Sequence, residues 1–223
     1  MLKAVIFDMD GVIINSEPLH YRAYHAMFNE VGISVSATFY DTLTGRSTIN
    51  ICRQLVDQFS LTQVPEELVA IKRRHYQYIF ENDKTFDLIK GVRALIQDYH
   101  AHGITLVLGS SASMPNINQT FKRFDLDPYF KAKISGAELK ASKPHPEIFI
   151  KAAEATGYSA KECLVIEDAT NGIEAAKAAG IYCVAFASEH SNNQDYSKAD
   201  LVIQDFEAIK YNRIKVFFEK QVT

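Results

Sequence analysis

What most limits the folds open to this chain is the apolar run Ala4-Val5-Ile6-Phe7, followed at once by Asp8-Met9-Asp10-Gly11. Four consecutive apolar, partly β-branched residues predict a buried strand. Side chains on extended chain repeat with period two, so carboxylates at i and i+2 just beyond the strand can face one point. Gly11 permits a sharp turn there. Taken alone, the same residues equally fit a strand leaving the core through an acidic turn that caps the next helix.

From 15 to 87 the pattern is helical throughout, with apolar residues at helical spacing over Leu19–Val31, Ser47–Phe59 and Pro65–Glu81 and a loop over 33–47. After Lys90 strands and helices alternate. The predicted strands are Ile104–Leu108, a short one near Lys133-Ile134, Cys163–Ile166, Ile181–Ala185 and Leu201–Ile203. The helices between them end near Gly103, at Phe124, at Gly157 and at Gly180. This alternation predicts an α/β protein: a Rossmann-like, mainly parallel-sheet core with an inserted all-helical domain. The expected core is 1–14 with 88–223, and the expected insertion, a cap, is 15–87. Ser188–Ser197, polar throughout most of its length, reads as a surface loop.

Composition excludes several classes of function. A formal net charge of -3 and the lack of a long basic tract give no case for a nucleic-acid partner. No apolar run approaches the roughly 18 residues of a membrane span, and the sequence runs directly into a strand without a targeting segment. Cys52, Cys163 and Cys183 lack metal or redox spacing and read as buried reduced thiols. A cytoplasmic monomer without a membrane partner is expected.

Three later stretches deliver polar groups where a parallel sheet collects them, at the carboxyl ends of strands: Ser110, Lys143-Pro144 and Glu167-Asp168. Each has an ordinary alternative. Ser110 and Ser111 fit a helix cap, Lys143 a solvated lysine, and Glu167-Asp168 a cap for the helix through Gly172. Their joint occurrence in order favours convergence on one rim. Such a rim suits a divalent cation and a phosphate, since Mg2+ takes carboxylates, carbonyls and water and shares its sphere with substrate phosphate. A lysine and a hydroxyl would hold the phosphate oxygens.

Asp8-Met9-Asp10-Gly11-Val12, Ser110, Lys143-Pro144 and Glu167-Asp168-Ala169-Thr170-Asn171-Gly172 resemble the four motifs of the haloacid dehalogenase superfamily. The stretches from Gly11 to His20 and from Lys143 to Phe149 are similar to its branch of β-phosphoglucomutase and sugar-phosphate phosphatases, which carry a small helical cap. The resemblance implies that Asp8 is the nucleophile of phosphoryl transfer and Asp10 the general acid and base. It implies Mg2+ held by Asp8, the Asp10 carbonyl and Asp168, with Glu167 close by or acting through water. Ser110, Ser111 and Lys143 would bind the phosphate of a small phosphorylated metabolite. Ser16 and His20 match cap-hinge positions of the mutase, and Arg46 is a candidate substrate contact. Thr48 stands where the mutase has an arginine for a second phosphate, and Ser111-Ala112-Ser113-Met114 departs from its substrate-gripping residues. A Mg2+-dependent phosphatase is therefore expected ahead of a phosphomutase. His20 equally fits a packed histidine, and Lys72, in Lys72-Arg73-Arg74-His75, reads as part of a solvated helix face. Tyr21, Tyr24 and Phe28 read as packing.

Overall fold

In the computed structural model, which describes residues 1–43, 47–188 and 193–221 with side chains through Phe218, the first apolar run is strand β1, Ala4–Phe7. All four of its residues are fully buried. Both edges of β1 are paired in parallel, to β2 (Thr105–Ser110) and to β4 (Cys163–Glu167). β3 (Phe130–Ser135), β5 (Tyr182–Phe186) and β6 (Leu201–Ile203) complete a six-stranded sheet in the order β3-β2-β1-β4-β5-β6. The central strands β1 and β4 are buried along their whole length, which is why Ala4–Phe7 and Cys163–Ile166 are continuous apolar runs. Burial of each Ile or Phe side chain contributes about 1.5–3 kcal/mol.

Alternation along β1 assigns its faces. Ala4 and Ile6 join a core cluster with Ile148, Phe149, Ala152, Ile173 and Ala176, from α7 (Glu147–Thr156) and α8 (Thr170–Ala178). Phe7 points the other way, its ring centroid 6.4 Å from Tyr99 and 5.7 Å from Phe130; Tyr99 belongs to α5 (Val92–Ala101). The α6 helix (Met114–Arg123) follows β2, and α9 (Tyr211–Gln221) follows β6.

The chain divides into two compact units, Met1–Asn15 with Asp87–Thr223, and Ser16–Phe86. The second contains α1 (Glu17–Glu30), α2 (Ala37–Asp41), α3 (Thr48–Phe59) and α4 (Pro65–Asn82). Its own core includes Tyr24, Met27, Phe28, Tyr40, Ile51, Leu55 and Leu68. The α2 helix interrupts the expected 33–47 loop: Ser36 Oγ accepts from Phe39 N at 3.2 Å and starts one short helix. Lys72 also departs from expectation. It is only 4% exposed, because with Leu68 and Tyr76 it falls on the inward stripe of α4 at a spacing of four. All three cysteines are buried and free, and no helix of the described residues is long and apolar enough to cross a membrane.

Candidate active site

In the sheet order the chain runs from β1 outward to β3, then crosses to β4 on the other side of β1. Such a switch point, at the carboxyl ends of the strands, is where open α/β sheets bind ligands. Phe7 lies opposite both Leu108 and Ile166, so the next residues, Asp8, Gly109 and Glu167, fall at one level. Asp8 N donates to Ile166 O at 3.0 Å, continuing the ladder one step past the strand. The chain then folds tightly: Ile13 N and Ile14 N both donate to Met9 O, at 2.8 and 3.0 Å. Asp10 is half-buried within this turn. Gly11 has φ +85°, and a Cβ there would lie 2.0 Å from Asp168 Oδ2. A side chain at position 11 would therefore displace the Asp168 carboxylate.

Lys143 ties the acidic groups together. Its Nζ donates to Asp8 Oδ1 at 2.6 Å and to Glu167 Oε1 at 2.8 Å, and it sits 4.8 Å from the Phe149 ring centroid. The lysine side chain is 9% exposed, so the expected alternative of a solvated lysine is excluded. Glu167 Oε2 accepts from the backbone N–H groups of Asp168 and Ala169, both at 2.7 Å. Glu167 thus serves the turn into α8 and the lysine at once.

Burial pushes the Asp8 carboxyl well above its ordinary range; Lys143 pulls it down, and Glu167 and Asp168 push it further up. For Lys143, burial opposes the charge, yet Asp8 and Glu167 outweigh it and hold the ammonium above its ordinary value. One buried ammonium pairs with Asp8 and Glu167, and Asp168 adds a further carboxylate near Asp8, which leaves an excess of negative charge. An oxygen-only donor set with that excess fits a hard divalent cation. Among the described residues no group of three or more His, Cys, Asp or Glu side chains could by itself hold a metal ion.

Ser110, the last residue of β2, is 1% exposed. Its Oγ accepts from Ala112 N at 3.1 Å, and the cap position of α6 falls to Ser113, not to Ser110 or Ser111. Ser111 is exposed. Ser135 Oγ donates to Ala112 O at 2.8 Å and braces this loop from β3, a contact absent from the sequence reading.

The helical unit holds a second polar group. His20 Nδ1 lies 2.6 Å from Lys72 Nζ, and the His20 ring stacks on Tyr76 at 4.5 Å. Lys72 Nζ is 4.9 Å from the centroids of both Tyr24 and Tyr76. Burial, then the Lys72 charge, lowers the His20 pKa to about 3, so the imidazole is neutral and accepts from the ammonium. Tyr24 and Phe28 are buried as expected, whereas Tyr21 is exposed, its ring tilted against His25 at a centroid distance of 4.1 Å. Arg46, with Thr44 and Gly45, lies outside the described residues.

One substitution tests how closely the Glu167 carboxylate is held. A Cβ on Gly172 would lie 1.6 Å from Glu167 Oε1. The obstructing atoms are the end of a flexible side chain, so the fold can accommodate Gly172→Ala only by moving the carboxylate. The better helix propensity of alanine, about 1 kcal/mol, offsets only part of the cost of that movement. Because the displaced carboxylate gives up its Lys143 pairing and its two backbone donors, the expected result is a lowered melting temperature with turnover reduced about 10²-fold, the scale of a misplacement near 1 Å. Differential scanning fluorimetry and steady-state kinetics on the same preparation check both halves.

A doubly wound parallel sheet with buried carboxylates and a bridging lysine at its switch point defines a Rossmann-like enzyme core. The chain belongs to the haloacid dehalogenase-like hydrolase family, whose model matches residues 5–186. It is similar to the phosphorylated carbohydrates phosphatase of Thermotoga maritima, 30% identical over 187 residues that cover 81% of this chain and 82% of that protein. It is similar also to hexitol phosphatase B of Escherichia coli K12, 31% identical over 207 residues and 90% of each protein. Among solved structures, β-phosphoglucomutase of Clostridium difficile superposes with a TM-score of 0.80 at 25% identity, covering 100% of this chain and 99% of that one.

Proposed function

We propose that this protein is a Mg2+-dependent phosphatase of small phosphomonoesters, sugar phosphates foremost, working through an aspartyl phosphate on Asp8. The observation that carries the reading is the Lys143 bridge between Asp8 and Glu167 at the switch point. The two relatives named for phosphorylated carbohydrates and hexitols support the substrate class.

In this reading Asp8 attacks phosphorus and the P–O bond to the leaving alkoxide breaks. Asp10 gives that oxygen a proton as it leaves and later takes one from the attacking water. Lys143 and the Ser110 hydroxyl hold the oxygens of the transferring group, with backbone N–H groups nearby. Asp8, the Asp10 carbonyl and Asp168 would hold Mg2+, with Glu167 close by. When bound, Mg2+ supplies positive charge that screens the repulsion between the attacking carboxylate and the phosphate. The helical unit is the cap that selects the substrate.

A phosphomutase is the second reading, favoured by the β-phosphoglucomutase-like fold and by the His20–Lys72 pair. Thr48 disfavours it: the residue in the mutase's arginine position hydrogen-bonds Tyr24 and carries no charge for a second phosphate. A panel of phosphorylated metabolites, assayed with Mg2+ for kcat/KM and for released phosphate, separates the two. Phosphate release from hexose or hexitol phosphates is expected. Conversion of β-glucose 1-phosphate to glucose 6-phosphate faster than phosphate appears would overturn the hydrolase reading in favour of the mutase.

A further inference from the structure

We propose that Gln194 is a positioning residue for the acidic pair Glu167–Asp168, capping α8 from outside the helix and so holding the two carboxylates for a divalent cation. The inference rests on the cation-dependent reading of this site.

The α8 helix begins directly after the acidic pair, and its N-cap residue, Ala169, has no side-chain oxygen to accept from the first turn. Four N–H groups at a helix start need acceptors, and Ser, Thr, Asp or Asn normally supplies one. Here the acceptor comes from 24 residues downstream. Gln194 Oε1 takes Thr170 N at 2.8 Å and Thr170 Oγ1 at 3.0 Å. Asp195 N in turn donates to Thr170 Oγ1 at 2.7 Å, so Thr170 is gripped through both its backbone and its hydroxyl.

The contact continues along the whole helix. Lys198 Nζ pairs with Glu174 Oε1 at 2.5 Å, and Lys177 Nζ with Asp200 Oδ2 at 2.5 Å. Asp200 Oδ2 also accepts from Cys183 N at 2.7 Å, anchoring the far end to β5. Residues 194–200 therefore form a strap beside α8, in step with it from first turn to last, and Tyr196 packs against the core cluster.

The first turn of α8 is also what shapes the acidic pair. Glu167 Oε2 is bound by Asp168 N and Ala169 N, and its other oxygen lies where a Cβ of residue 172 would be. Any drift of Thr170 thus moves the groups that Glu167 rests on, and Asp168 with them. Partners one shell beyond a metal's ligands orient those ligands, and their loss typically weakens metal affinity about 10- to 100-fold.

The test is direct binding of Mn2+, a surrogate for Mg2+, followed by loss of the free-ion EPR signal, with melting temperatures in EDTA measured in parallel. Gln194→Ala is expected to weaken Mn2+ binding about 10-fold, and Thr170→Val, which removes the hydroxyl while keeping the shape, to weaken it in the same direction. Gln194→Glu keeps an acceptor oxygen at the helix start and should restore wild-type affinity. Unchanged Mn2+ affinity in both Gln194→Ala and Thr170→Val, whether or not the melting temperature falls, would show at most a structural cap and overturn the inference alone. No Mn2+ binding by the unaltered protein would overturn the cation reading of the site, and this inference with it.

Discussion

Asp8→Asn is expected to abolish phosphate release, by at least about three orders of magnitude, and to leave the fold intact. The two expectations have one physical cause. Asp8 is a charge placed where burial disfavours it: burial raises its pKa well above the ordinary range despite the lysine at 2.6 Å. A group whose folded-state pKa is raised contributes stability that is present at low pH and lost as pH rises through the folded value. At neutral pH the folded wild type without cation therefore carries a cost that the neutral isostere does not. Lys143 keeps its pairing with Glu167 at 2.8 Å in the variant. In EDTA the variant should melt no lower than the wild type, and the difference should widen in its favour from acid to neutral pH. Added Mg2+ should reverse the order, since only the wild type retains the full set of carboxylates. Thermal melts at several pH values, with and without Mg2+, measure this. A variant that still turns over substrate would refute Asp8 as nucleophile.

The strands at the switch point were legible because they are fully buried, and full burial selects uninterrupted apolar runs. Ala4–Phe7 and Cys163–Ile166 are such runs, and the polar residues just beyond them, Asp8 and Glu167, are the ones the structure joins. The edge strand β3 was harder: Phe130–Ser135 alternates with Lys131 and Lys133, and those lysines are satisfied by Thr156 O and Asp127 rather than by the sheet. Only Lys133-Ile134 stood out from its surroundings. Five-residue α2 is shorter than the window in which helical periodicity can be counted, and its signal is the single cap at Ser36. Residue type misled at Lys72, where α4 turns a charged side chain inward onto an imidazole and two rings. The expected helix-cap alternative for Ser110 failed for a simple reason: the strand runs two residues further than its apolar core, through Gly109 to Ser110. No local pattern announces Gln194, because it acts across 24 residues on a helix whose own cap residue is mute.

Lys143→Met keeps most of the buried stem and removes the charge, and its effect should be large on both stability and rate. Two carboxylates, Asp8 and Glu167, are then left buried with the ammonium that paired with each of them gone. Breaking a buried pair in this way typically costs about 3–5 kcal/mol, because the remaining charge has no compensation. The cost must depend on pH. Without the lysine that pulls it down, the Asp8 carboxyl pKa rises further, so its protonation relieves the repulsion in acid and the penalty grows as pH increases. Urea unfolding in EDTA at pH 5 and pH 8 should show the larger deficit at pH 8. Turnover with Mg2+ should fall at least about 10²-fold, as on removal of other charge-stabilising donors. Adding Glu167→Gln to Lys143→Met discriminates pairing from packing. If the loss comes from stranded charge, the second substitution recovers part of the stability, whereas a packing defect leaves the two effects additive. Activity should not return in the double variant, because the ammonium proposed to hold the transferring phosphate is still missing.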